Sequence, residues 1–350
     1  MAEYIVSEID KRISTTSKDI GTKYNGVDIL QSRDYIKLYC ESYIDKILLS
    51  HGWSIPSPNE SNRHDMVPLS PNAVSRLQSL VGPLEDSTEH AELEKKMKFS
   101  YRGLLGELLY AFIIVHVSIG NAIQFFSKFS GSPHLDHYMA LRNVCHYLRK
   151  HKSEGLIYWR VKPVESLPSI PFEILRADTQ LPPYPKYELT DLIAFADAAY
   201  ATDIKTRRSI SGYVIMYAGA AVAYKAKMQP TVATSSTEAE FIAAVYTAKA
   251  LKHLRSVLND LGLLPLKPSI IYEDNKAAID MINDLKPTMR SRHIDVQHFA
   301  IQEWHNKGEI EMHHIPGIIN PADNETKSLS WTLHSRHSRR TMGHFGPPHL

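Results

Sequence analysis

The sequence predicts an α/β protein in which a mixed five-stranded sheet flanked by helices follows a mainly helical first half. Three observations predict this arrangement. Apolar residues recur at helical spacing between residues 101 and 149. Prolines are dense just before residue 187. Downstream of them, strand-like and helix-like segments follow in the order β-β-β-α-β-α-α-β-α, which is typical of a mixed sheet with helices on its faces.

The composition is that of a globular chain with room for two domains, since 43% of its 350 residues are hydrophobic and 22% are charged. Lysine and arginine number 40 against 38 acidic residues, so any nucleic-acid surface must be local. Cys40 and Cys145 form no Cys-x-x-Cys motif, which argues against structural zinc and disulfides and fits a reducing compartment. Because the first twenty residues lack the apolar core of a secretory signal, we expect a cytoplasmic or nuclear protein.

The longest apolar stretch, residues 104–126, approaches membrane-spanning length but contains Glu107, His116, Asn121 and Gln124. These polar side chains favour buried core helices over a membrane span, so we expect no membrane partner.

The proline pattern predicts the domain organisation. Six prolines between residues 163 and 185 predict an extended linker at 166–186, which separates a first domain, 1–165, from a second domain, 187–335. The remaining residues, 336–350, are rich in arginine and are predicted to form a disordered basic tail.

The second domain carries the elements of the sheet. Alternating apolar residues bounded by turn residues predict strands at 192–197, 211–217, 220–225, 269–274 and 309–315. Helical spacing predicts a long helix at 237–261, shorter helices at 275–283 and 294–306, and a last helix that begins at Pro321. In the first domain the same spacing predicts helices within 101–149, followed by a strand at 155–160.

Four acidic residues lie at the ends or on the apolar sides of these elements. Alternation places Asp197 and Asp274 at the carboxyl ends of two strands, where α/β sheets bind ligands. Glu240 lies on the apolar face of the long helix, because Glu238 can serve instead as the capping residue at its start. Asp323 opens the last helix.

Such a set of carboxylates suits the hydrolysis of a phosphodiester by two divalent ions about 4 Å apart. Hard oxygen ligands favour Mg²⁺, with Mn²⁺ as a substitute. Taken singly, each acid is better explained as a solvated surface residue or a helix cap. Acidic residues are only 38 of 350, so four of them at these positions are difficult to attribute to chance.

Several motifs resemble the ribonuclease H region of Ty1/copia retrotransposon polyproteins and stand in the order of that family. They are Phe195-Ala196-Asp197-Ala198, residues 207–213 (RRSISGY), residues 235–241 (SSTEAEF), Glu273-Asp274-Asn275-Lys276, residues 292–296 (RHIDV), and Pro321-Ala322-Asp323 followed by Thr326-Lys327. The resemblance implies a ribonuclease H-like fold. It also implies that Asp197, Glu240, Asp274 and Asp323 are catalytic, hold two Mg²⁺ ions and cut the RNA strand of an RNA·DNA hybrid.

The first domain resembles, more faintly, the thumb and connection of the same family's reverse transcriptase, at residues 101–102, 107–110, 129–134 and 155–158. The polymerase centre of that family requires an adjacent Asp-Asp pair, and the sequence contains none. We therefore expect a partial reverse transcriptase without DNA synthesis of its own, whose partner is the upstream part of a longer polyprotein. Two positions depart from the family pattern: Ala199-Tyr200 replaces an acid and a tryptophan, and residues 115–118 replace an Arg-Pro-Asp triplet.

A hybrid duplex is held mainly through its phosphates. The candidates for phosphate contacts are the basic residues of the hairpin region, Lys205, Arg207, Arg208, Lys225 and Lys227, although a solvated turn explains them equally well. The candidates for contacts to the 2′-hydroxyl are Ser235, Ser236, Thr237 and Asn275.

The histidine spacings match no zinc site. His313 or His314 could assist proton transfer near the cleft, although a surface position is the simpler explanation. Two other functions stay open at this point: an inactive or co-opted retrotransposon fragment that only binds nucleic acid, and a nuclease of the same fold that acts on DNA.

Overall fold

Two sheets organise the protein, one in each half of the chain. The computed structural model describes residues 22–56, 66–161, 181–283 and 292–344, apart from the side chains of 292–298. Most of the predicted linker, the end of the predicted tail and the side chains of the RHIDV motif lie outside the described residues.

The first sheet is antiparallel, with strand order β1-β2-β3-β4. Its strands are β1 (Lys23–Tyr24), β2 (Val27–Gln31), β3 (Tyr35–Tyr39) and β4 (Gly155–Trp159). Only β4 was predicted from the sequence. None of the residues of β1, β2 and β3 is fully buried, so these strands lack the apolar contrast on which a strand prediction depends.

Helices surround this sheet: α1 (Glu41–Ser50), α2 (Pro71–Leu77), α3 (Thr88–Met97), α4 (Tyr101–Ile114), α5 (Gly120–Ser127) and α6 (Leu135–His151). The side chains of Ser70, Ser87 and Ser100 cap the starts of α2, α3 and α4 by accepting backbone N–H bonds. The apolar stretch at 104–126 forms α4 and α5, which a short 3₁₀ turn at Val117–Ile119 separates. No helix in the described part of the chain is long and apolar enough to cross a membrane.

The predicted mixed five-stranded sheet flanked by helices is confirmed, with strand order β7-β6-β5-β8-β9. Its strands are β5 (Ile193–Ala199), β6 (Ile210–Tyr217), β7 (Ala220–Met228), β8 (Ser269–Glu273) and β9 (Ile310–His314). Its helices are α7 (Ser236–Asp260), α8 (Lys276–Asn283), α9 (Arg292–Asn306), α10 (Asp323–Thr326) and α11 (Trp331–Thr341). The central strand β5 pairs antiparallel with β6 and parallel with β8, so the carboxyl ends of β5 and β8 meet at one edge.

The two halves of the chain share one of two apolar clusters. On one face of the mixed sheet, small side chains such as Ala194 and Ala196 pack with Phe241 of α7. On the other face, Phe195 and Val214 belong to a cluster that includes α4 and α5 of the first half.

Hydrogen bonds also cross between the halves. Tyr158 Oη donates to the Ala221 carbonyl at 2.7 Å, and Tyr224 Oη donates to the Phe112 carbonyl at 2.7 Å. The halves therefore pack against each other along β7, through side-chain-to-backbone bonds as well as apolar contacts.

The prediction of a disordered basic tail is wrong for residues 336–344. Arg336 is 1% exposed within α11, and its guanidinium carbon lies 4.4 Å from the centre of the Tyr184 ring. Arg340 lies over the same ring and over Tyr187, and a 2.8 Å hydrogen bond joins His337 to Tyr184. Aromatic faces supplied by the chain before β5 thus bury arginines that the sequence alone suggested were solvated.

Candidate metal centre

Asp197 lies at the middle of the mixed sheet and its side chain is completely buried. It is the fifth residue of β5, and strand alternation places it on the same side as Phe195. Lys327 Nζ donates to Asp197 Oδ1 at 2.8 Å, and Thr326 Oγ1 donates to Asp197 Oδ2. Both carboxylate oxygens of Asp197 are therefore engaged by two successive residues from the end of α10.

Glu240 reaches the site from the second turn of α7. Ser235 caps this helix by accepting from the Glu238 backbone N–H at 3.1 Å, and the Glu238 carboxylate accepts from the Thr234 N–H at 2.6 Å. Glu238 therefore takes the capping role, as the sequence suggested, and Glu240 is left for the site. Its buried Oε2 has no hydrogen-bond partner among the described residues.

Asp274 follows β8 directly and faces the turn after β9. A Cβ built on Gly317 would lie 2.6 Å from Asp274 Oδ2, which is closer than real Cβ contacts allow. Because Gly317 has no side chain, the Asp274 carboxylate fits against this turn without a clash.

Asp323 is held in place by the segment that leads into α10. The Asn320 side chain donates to the Ala196 carbonyl at 2.7 Å and accepts from the Ala322 N–H at 3.1 Å. Gly212 pairs with Asp197 across β5 and β6, and a Cβ there would lie 2.6 Å from Thr326 Cγ2. A glycine at this position lets α10 pack directly on the strand beside Asp197.

The four acids predicted from the sequence converge on one site. Oxygens of Asp197, Asp274 and Asp323 lie within 4.8 Å of one another. A second group with the same property consists of Glu240, Glu273 and Asp274. Asp274 belongs to both groups, so the site has two adjacent positions that a cation could occupy.

Glu273 is a site residue that the sequence analysis missed. Alternation along β8 assigned it to the face opposite Asp274, but at the strand end its Oε1 accepts from the Asp274 N–H at 3.1 Å and the Asn275 N–H at 3.2 Å. The residue is 0% exposed, and its Oε2 has no hydrogen-bond partner in the described ranges. The adjacent acids of the Glu273-Asp274-Asn275-Lys276 motif were the one available signal.

Burial and mutual repulsion raise the pKa of several of these acids. Burial, with Asp197 and Asp274 nearby, raises the pKa of Glu240 to about 9. Burial and Asp197 raise the pKa of Asp323 to about 7 and also raise that of Asp274. Carboxyl groups whose charged form is this unfavourable favour a cation at their centre.

Most of the predicted phosphate-binding residues surround the turn after β5. Lys205 and Arg207 are exposed there and Arg208 is half-buried. Lys225 and Lys227 are exposed on β7, where they pair with Tyr213 and Ser211, so they lie on the sheet face opposite the Asp197 side chain. The structure therefore places Lys225 and Lys227 at the same end of the sheet as Asp197 but on the opposite face.

Of the four candidates for 2′-hydroxyl contacts, two cap helices and two lie on the first turn of α7. Ser235 caps α7, and Asn275 Oδ1 accepts from the Ala278 N–H at 3.1 Å at the start of α8. Ser236 is exposed and Thr237 half-buried on the first turn of α7. Both are therefore at the end of α7 from which Glu240 projects.

The two histidines of β9 are exposed. His313 Nε2 lies 3.0 Å from Glu311 Oε2. His314 is close enough to Asp274 to oppose the rise in the pKa of that carboxyl group. Of the two, His314 is therefore the one at the site.

Comparison with known proteins identifies relatives of most of the chain. The chain is 28% identical over 314 residues to the retrovirus-related Pol polyprotein from transposon TNT 1-94 of Nicotiana tabacum, in a match that covers 89% of this chain and 21% of that protein. It is 26% identical over 232 residues to the Pol polyprotein from transposon RE1 of Arabidopsis thaliana, covering 66% of this chain and 14% of that protein. The chain is similar to the Pol polyproteins of Ty1/copia-type transposons over 66–89% of its own length.

The chain spans about a fifth or less of the length of these relatives. No family model matches it. Among solved structures it is similar to LC11-RNase H1 in complex with an RNA/DNA hybrid, with a TM-score of 0.30 and 15% identity, over 39% of this chain and 94% of that one. At this TM-score the fold assignment rests on the sheet order and not on the superposition.

Proposed function

We propose that this part of the Pol polyprotein is a metal-dependent ribonuclease H that cuts the RNA strand of RNA·DNA hybrids. The observation that carries the proposal is the convergence of Asp197, Glu240, Asp274 and Asp323 from four separate elements around one buried point. Acids this close are unfavourable without a counter-ion, so a purely structural role does not explain them.

The donor set fits Mg²⁺ or Mn²⁺. It consists of carboxylate oxygens, which are the ligands of hard divalent cations, and it contains neither the cysteine nor the paired histidines of a zinc site. Asp197, Asp274 and Asp323 would hold one ion, and Glu240, Glu273 and Asp274 the other. When bound, two such ions activate the attacking water and stabilise the leaving oxygen.

The protein's own residues fix the positions of the ligands before substrate arrives. Asp197 is on the central strand and is completely buried. Glu273 ties the backbone of Asp274 to the end of β8, and Gly317 leaves that carboxylate its space. These contacts hold the carboxylates in fixed positions on strands and helices. Fixed ligands allow a reacting phosphate to be held in the orientation that the reaction needs.

The hybrid is proposed to bind across the strand ends, with the turn residues Lys205, Arg207 and Arg208 on its phosphates. The first turn of α7, with Ser236 and Thr237, is the proposed contact to the ribose hydroxyls. Lys225 and Lys227 are weaker candidates because they lie on the other sheet face. The upstream part of the polyprotein is the proposed protein partner.

The test is cleavage of end-labelled RNA annealed to DNA, with Mg²⁺, with Mn²⁺ and with chelator. We expect cleavage that needs metal and disappears in Asp274→Asn. The matched control is Asp280→Asn, which removes an exposed carboxylate on the neighbouring helix α8 and should leave cleavage unchanged.

Hybrid binding without cleavage by the folded chain would refute the enzyme and favour a fragment that only binds nucleic acid. Cleavage of a substrate with DNA in place of the RNA strand would indicate a DNA nuclease of the same fold.

A further inference from the structure

Lys327 lies between two of the carboxylates that are proposed to bind metal. Its Nζ is 2.8 Å from Asp197 Oδ1 and 2.8 Å from Asp323 Oδ1. Thr326 Oγ1 donates to the other oxygen of Asp197. One ammonium group therefore already bridges the two acids that would have to share a divalent ion.

We propose that Lys327 is a displaceable counter-cation of the metal centre, which holds Asp197 and Asp323 together before metal binds and must leave for the ion to bind. Lys327 then acts as a positioning residue that sets the metal affinity of the site. The inference rests on the proposed function, since it concerns the same carboxylates.

Direct competition follows from the burial of Asp197. The Asp197 side chain is 0% exposed and both of its oxygens already accept hydrogen bonds from Thr326 and Lys327. An incoming ion therefore meets an oxygen that already accepts a hydrogen bond, from Lys327 at Oδ1 and from Thr326 at Oδ2. Because an ammonium and a divalent ion repel each other strongly at contact distance in a buried site, they cannot share Asp197 Oδ1.

The backbone of α10 stays in place while the side chain moves. Asp323 and Lys327 are four residues apart, and the chain between them packs against Gly212 and is joined to β5 through Asn320. The long, flexible stem of a lysine can relocate its charge without moving these contacts. Asp323 is thus kept at the site when Lys327 leaves.

The structure also provides a place for the displaced ammonium group. The Lys327 side chain is 38% exposed and lines a cavity of about 390 Å³ between the two halves of the chain. Gln124 and Asp203 line the same cavity. Asp203 is already paired with Lys128, which lines the cavity too, at 3.9 Å. The buried Oε1 of Gln124 accepts no hydrogen bond within the described residues, so it is the acceptor that the cavity offers to a relocated cation.

The experiment measures metal binding by the full chain without nucleic acid, from the loss of the free Mn²⁺ signal in electron paramagnetic resonance. We expect Lys327→Met to bind Mn²⁺ at least about tenfold more tightly than the wild type, which corresponds to about 1.4 kcal/mol. Lys327→Arg keeps the charge and should bind as weakly as the wild type. The control Lys307→Met removes an exposed lysine that pairs with Glu303 on the surface and should not change binding.

A second measurement separates competition from a merely structural role. Without metal, Lys327→Met should melt at a lower temperature than the wild type, and saturating Mn²⁺ should raise its melting temperature by more than that of the wild type. If the methionine variant does not fold, Lys327→Gln replaces it, because glutamine retains a hydrogen-bond donor without the charge. Lys327→Gln should also bind Mn²⁺ more tightly than the wild type.

If the folded, uncharged variants bind Mn²⁺ as weakly as the wild type or more weakly, the inference is overturned. If the wild type nevertheless cleaves the hybrid, the proposed function stands although the inference has failed. If neither the wild type nor the uncharged variants bind Mn²⁺, both the inference and the proposed function fail.

Discussion

A single methyl group at position 212 should disturb the candidate metal centre without touching any of its acids. Gly212 faces Asp197 across β5 and β6. In Gly212→Ala the new Cβ would lie 2.6 Å from Thr326 Cγ2, 2.7 Å from Glu325 Cβ and 3.2 Å from the Ala322 carbonyl. All three atoms belong to α10 or its first turn, so the helix must move away from the strand.

The size of the effect follows from these distances. Since ordinary Cβ contacts begin near 3.4 Å, α10 has to move by about 0.8 Å. Overpacking of this kind costs about 1–3 kcal/mol of stability. A misplacement near 1 Å in a catalytic site costs about a hundredfold in rate. Asp323 and Lys327 move with the helix, so metal affinity should change as well.

The assay combines urea denaturation with hybrid cleavage. The matched control is Gly106→Ala, which adds the same methyl group to an exposed position of α4 with no atom within 4 Å of it. This control should leave cleavage unchanged and raise stability by up to about 1 kcal/mol, because alanine favours helix. Wild-type stability and cleavage in Gly212→Ala would refute the close packing of α10 against β6.

Two further predictions concern the first half of the chain and its contact with the second. Burial lowers the pKa of His116 to about 4, below its unfolded value of about 6.5, so the folded state loses stability as pH falls below about 6.5. In urea denaturation, the stability of His116→Leu relative to the wild type should therefore increase by about 1.2 kcal/mol for each unit that the pH falls between 6 and 4.5. A difference that stays constant with pH would contradict the burial of an uncharged ring. Residues 187–350 expressed alone should bind a hydrophobic dye and aggregate, because Phe195 and Val214 are then no longer covered by α4 and α5. A soluble fragment that unfolds cooperatively would instead support the predicted domain boundary.

The sequence predicted the mixed sheet and the four acids because each depends on a local pattern. Asp197 and Asp274 lie at the ends of apolar strands. Glu238 and Glu240, the two glutamates that could cap α7, are only two residues apart. A short window of sequence contains all the information that these predictions need.

The remaining features depend on residues far apart in the chain. Lys327 and Asp197 are 130 positions apart, so the family motif that includes Thr326-Lys327 did not predict the ion pair between them. Arg336 was assigned to a solvated tail because its aromatic partner, Tyr184, precedes the whole sheet. The strands β1 to β3 were missed because they are only partly covered.

The last described residues of the chain complete the first sheet. Met342 O accepts from the Ile157 N–H at 2.8 Å, and Gly343 O accepts from Trp159 Nε1 at 2.8 Å, across a separation of 184 residues. At a synthesis rate of about 5–20 residues per second, β4 leaves the ribosome roughly ten to forty seconds before these partners. During translation the nascent first half therefore lacks these two hydrogen-bond acceptors of β4 until the residues after α11 have been made.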